Sequence, residues 1–90
     1  MESYIKAFNT ISNEINKQLR LKNLNKEQIE KLKDDINQSS KIIKDIDKEY
    51  SLISSKNRGE FKAKIDNIKS QFQIFQNMLI SKEKELSFNS

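Results

Sequence analysis

The chain is predicted to be an all-α, antiparallel three-helix bundle, up-down-up, with left-handed coiled-coil-like packing. Three observations predict it. Apolar residues recur at alternating steps of three and four, they fall into three runs, and a short polar patch separates each run from the next. A strand would need alternation by two, which none of the runs shows.

The first run is Tyr4, Phe8, Ile11, Ile15 and Leu19, and it predicts a helix over about residues 2–21. The middle run is the most regular. Ile29, Leu32, Ile36, Ser39, Ile43, Ile46, Tyr50 and Ile53 all lie on one stripe, predicting a helix over about 26–54. Its start has readable chemistry. In LKNLNKEQI, Asn25 is followed three residues later by Gln28, with Leu24 before the cap and Ile29 after it, the pattern of a capping box with a hydrophobic staple. The third run is Phe61, Ile65, Ile68, Phe72, Phe75 and Leu79, ending near Leu86. Before it, SSKNRGEF offers Asn57 with Glu60 three residues on, beside Gly59, the only glycine of the chain. This places the third helix over about 58–86. The expected domain is therefore 1–86, with 87–90 as a tail.

One competing architecture remains open at this level. Proline is absent, and Ile53, Asn57 and Phe61 are separated by two steps of four, which a long dimeric coiled coil absorbs as a stutter. Long helices joined by short loops favour antiparallel neighbours within one chain, so the expectation is a monomeric bundle.

Composition narrows the function classes. Ninety residues with 34% hydrophobic content make one domain with a thin core. No cysteine is present, which rules out disulfides and thiolate metal sites and fits a cytosolic protein. Histidine is also missing, so the commonest general base and transition-metal ligand is unavailable. No catalytic, cofactor-binding or metal residue is nominated, and the chain is not expected to be an enzyme or to need a cofactor. The acidic neighbours Asp34 with Asp35, and Asp45 with Asp47, do not converge on one helix face and are expected to be solvated. No run of about eighteen apolar residues exists, and MESYIKAFNT lacks the apolar block of a signal peptide, so a soluble piece without membrane contact of its own is expected.

Charge is balanced more than the pI of 9.3 implies, with 17 basic residues against 13 acidic ones. Glu27 with Lys31, and Glu60 with Lys64, have helix-supporting spacing. The excess is uneven: Lys56–Lys69 holds five basic and two acidic residues, whereas Asp34–Glu49 holds five acidic and three basic, a polarity suited to orienting a protein partner. Nucleic acid is not an expected partner. Only Arg20 and Arg58 are arginines, and the aromatic residues sit on the apolar stripes. Apolar residues off the stripes, namely Ile5, Ile42, Leu52, Ile74 and Ile80, would form a binding surface only if clustered. The residues that contact a partner are left unassigned.

The pattern of Tyr4, Phe8, Ile11, Glu14, Ile15 and Leu19, the long middle helix to Glu49, then Asn57, Arg58, Phe61, Lys64, Lys69 and Phe72, resembles the N-terminal domain of the v-SNARE family called vesicle transport through interaction with t-SNAREs. The likeness runs over nearly the whole chain and consists of spacings and residue classes. It implies a Habc-type bundle preceding a SNARE motif and a C-terminal membrane anchor in a Qb-class SNARE on the cytoplasmic face of Golgi and endosomal membranes. The partners implied are ENTH-domain clathrin adaptors, with other SNAREs engaged through the downstream region. The chain departs from the family pattern in lacking a proline before the third helix and in carrying Ser39 and Ser40 mid-helix. It is not itself a SNARE motif, since Ser39 is the polar member of the middle stripe and Gln71 lies off the third. The alternative is a structural helical spacer or coiled-coil segment, such as a spectrin-like repeat, with no trafficking role.

Overall fold

Nineteen residues, Glu2–Arg20, wind into the first helix, α1, in the computed structural model, which describes residues 2–89. Phe8, Ser12, Ile15, Gln18 and Leu19 are buried along one side of it, with Tyr4, Ile5 and Ile11 half-buried beside them. The helix stops where Leu21 N–H donates to the Gln18 carbonyl at 3.2 Å and Asn23 adopts φ 58°, a left-handed conformation that asparagine tolerates better than most residues.

The reversal delivers the chain to α2, Lys26–Leu52, through the expected capping box. Gln28 N–H donates to Asn25 Oδ1 at 2.8 Å, and Asn25 N–H donates to Gln28 Oε1 at 2.9 Å. Leu24 and Ile29 both join the core, as a hydrophobic staple requires. The last helix, α3, is Ser55–Asn89, 35 residues long.

The second break differs from expectation. Helix α2 ends at Leu52, two residues early, and α3 starts at Ser55, three residues before Arg58. Asn57 is not the cap; its N–H donates to the Ser54 carbonyl at 3.0 Å. The Arg58 side chain folds back over this turn. Its Nε donates to the Ile53 carbonyl at 3.1 Å, its Nη2 donates to the Ser51 carbonyl at 3.2 Å, and its guanidinium lies 5.6 Å from the centre of the Tyr50 ring. These contacts satisfy carbonyls that the end of α2 leaves unpaired, so Ile53 turns the chain in an extended conformation (φ −75°, ψ 138°). The polar segment is drawn into the first turns of α3.

The other end of α3 also runs past expectation. Residues 87–89 continue the helix instead of forming a tail, because neither glycine nor proline follows Leu86 and Leu86 still packs on the core. Met1 of the expected domain and Ser90 of the expected tail lie outside the described residues.

The three helices form an up-down-up bundle in which α2 lies close to both neighbours, whereas the backbones of α1 and α3 stay farther apart and meet through core side chains. Among the described residues, twelve apolar side chains fill the core, with Ile15, Leu32, Ile46 and Phe75 fully enclosed. Ser39 is equally enclosed and donates its hydroxyl to the Ile36 carbonyl at 2.6 Å, so a polar residue on the stripe is accommodated within its own helix. The bundle measures 53 × 18 × 17 Å, and α3 alone, at about 1.5 Å per residue, accounts for its length.

Candidate interaction surface

The backbones of α1 and α3 stay farther apart than either is from α2, and a shallow groove runs between them. Phe8 and Ile68 form its floor, and Asn9, Ser12 and Asn16 of α1 face Asn67 and Gln71 of α3 across it. Toward the start of α1 the groove continues between Ile5 and Asn9 on one side and Lys64 and Asn67 on the other. The α3 wall is a helical stripe in its own right. Asn67, Gln71, Ile74 and Met78 follow steps of four, three and four, so Ile74 and Met78 extend the same face beyond the amides. Ile74 is 49% exposed and Met78 40%. The groove thus combines neutral side chains that both donate and accept hydrogen bonds with an uncovered apolar lip.

The off-stripe residues separate into two groups. Ile5 and Ile42 are half-buried and pack against the core, whereas Leu52, Ile74 and Ile80 are exposed. Leu52 is beside the α2–α3 turn, and Ile80 projects about 120° around α3 from Ile74, so the three do not form one patch. Met78, Leu21 and Phe88 are exposed apolar residues that the sequence reading did not single out. Met78 was legible in principle, since it stands four residues from Ile74.

A polar pin joins α1 to α2 on another side of the bundle. Gln18 Nε2 donates to Asp35 Oδ2 at 2.6 Å, and Lys31 Nζ reaches the same oxygen at 3.3 Å and Glu14 Oε1 at 4.0 Å. Gln18 Oε1 is buried without a hydrogen-bond partner. Lys31 therefore serves the α1–α2 contact, and Lys64 lies over the Phe61 ring at 5.7 Å.

Among the described residues, one ion pair joins the acidic segment of α2 to the basic segment of α3: Lys69 Nζ lies 3.0 Å from Asp47 Oδ1, with both side chains about half exposed. Among the described residues, no group of three or more histidine, cysteine, aspartate or glutamate side chains gathers as a metal site, and no helix is long and apolar enough to cross a membrane. Compared with family models, curated proteins and solved structures, the chain gives no match.

Proposed function

We propose that this chain is a non-catalytic recognition domain, the regulatory bundle of a Qb-type SNARE in intracellular vesicle trafficking, which binds sorting adaptors such as ENTH-domain proteins. The observation that carries the recognition role is the open α1–α3 groove together with exposed Ile74 and Met78, which follow Asn67 and Gln71 along the same face of α3. A bundle that closed evenly around its axis would cover such residues, and apolar atoms left uncovered beside polar ones are what a protein partner buries. The trafficking role rests on the residue pattern of the opening helix and of Asn57, Arg58 and Phe61, read with the up-down-up arrangement.

Titration of the domain with an ENTH domain tests this reading. Saturable binding is expected, weakened at least tenfold by the paired substitution Ile74→Ser and Met78→Ser with helical content unchanged. No binding at high micromolar concentration rejects the adaptor role. A second reading, a structural spacer, is favoured by the elongated shape and by an odd number of helices, which carries the chain in at one end of a 53 Å rod and out at the other. In that case the paired substitution leaves every partner interaction unchanged.

A further inference from the structure

The α2–α3 turn is a hairpin with little holding it shut. Only Ile53 and Ser54 lie outside helix, and neither is glycine or proline. Apolar residues flank them on both sides, Ile46, Tyr50 and Ile53 before and Phe61 and Ile65 after, linked through Asn57 by three steps of four that a continuous helix absorbs by local unwinding. A single helix through 26–89 would join the two stripes at that unwinding. It would also pair the unsatisfied carbonyls at the end of α2 with the unsatisfied N–H groups at the start of α3. In the hairpin, Arg58 compensates for two of those carbonyls, at Ser51 and Ile53.

We propose that α3 is exchangeable between two copies of this chain: with the turn straightened, the α3 of each copy packs on the α2 of the other, giving a dimer of two end-to-end three-helix bundles. The α2–α3 contact is antiparallel in the hairpin and remains antiparallel when two straightened chains lie side by side in opposite directions, so the exchange preserves the same interface. Pairs such as Lys69 with Asp47 re-form between copies. α3 leaves the α1–α2 pair by giving up its packing on both helices, and the same packing re-forms in the dimer against α1 and α2 of the other copy. The cost of association makes the dimer depend on concentration, and the Arg58 clasp sets the balance toward the monomer.

Two substitutions at one position test this in opposite directions. Ser54→Pro suits the hairpin, because Ile53 is already extended as the residue before a proline must be, and the bond from Asn57 N–H uses the carbonyl of residue 54 and not its N–H. Inside a continuous helix the same proline is strongly disfavoured. Ser54→Ala, with or without Arg58→Ala, favours the continuous helix. Sedimentation equilibrium from micromolar to millimolar chain is expected to show at least a tenfold gain in dimerisation for Ser54→Ala with Arg58→Ala, abolished when residue 54 is proline instead. Circular dichroism checks that each variant is folded. If Arg58→Ala loses its helicity, Ser54→Ala alone carries the comparison. Monomers throughout for the alanine variants, or a dimer indifferent to proline at 54, would overturn the proposal.

Discussion

Gly59 illustrates how one residue carries two readings. Beside Asn57 and two serines it marks the break before the third helix, and it lies within α3, where a β-carbon built on it meets nothing within 4 Å. Neither a positive φ nor a close approach requires glycine there. Gly59→Ala is therefore expected to raise stability by about 0.5–1 kcal/mol, read as a higher urea midpoint with an unchanged slope. Arg58 is the opposite case. Its identity was visible, but its role was not, because the carbonyls of Ser51 and Ile53 come within its reach only after the chain has turned. Gln18 was likewise hidden: a glutamine one position from the apolar stripe of α1 reads as solvent-facing, and it becomes buried because Asp35 of the neighbouring helix supplies an acceptor.

At the scale of elements, the two helix starts separate what local chemistry can specify from what it cannot. The box at Asn25 depends on residues within five positions of one another, and it forms as the sequence predicts. Asn25→Ala removes the acceptor for Gln28 N–H and is expected to cost about 1 kcal/mol, measured by thermal and chemical denaturation. The residues from Asn57 to Glu60 carry the same signature, and there it misleads. A cap competes with continued helix, and the start of α3 is decided by contacts reaching back to the end of α2, not by the best local capper. Helix existence and stripe phase were legible for all three elements, whereas the end of α2 and both ends of α3 were displaced by two or three residues.

The whole molecule is a thin bundle, and its stability is concentrated in few side chains. Phe75 is completely enclosed in the core. Phe75→Ala is expected to cost about 3–5 kcal/mol, a large share of the roughly 5–15 kcal/mol available to a domain. Loss of most helical signal at a sharply lower melting temperature would show this; a shift of only a few degrees would mean that the core collapses around the gap. The charge pattern belongs to this scale too. In the folded chain, among the described residues, only Lys69 and Asp47 pair between the two segments, and both stay about half exposed, so steering of a partner by this asymmetry is expected to weaken with added salt.

Residue order alone determined the class, the number of helices and the face each one buries, because periods of three and four are properties of a single helix and survive any arrangement of its neighbours. Tertiary structure decided which pair of helices stands apart, and hence that Asn9, Asn16, Asn67 and Gln71 line a groove with Ile74 and Met78 on the same face of α3. Openness depends on the distance between helices, a quantity set jointly by all three stripes and written in none of them.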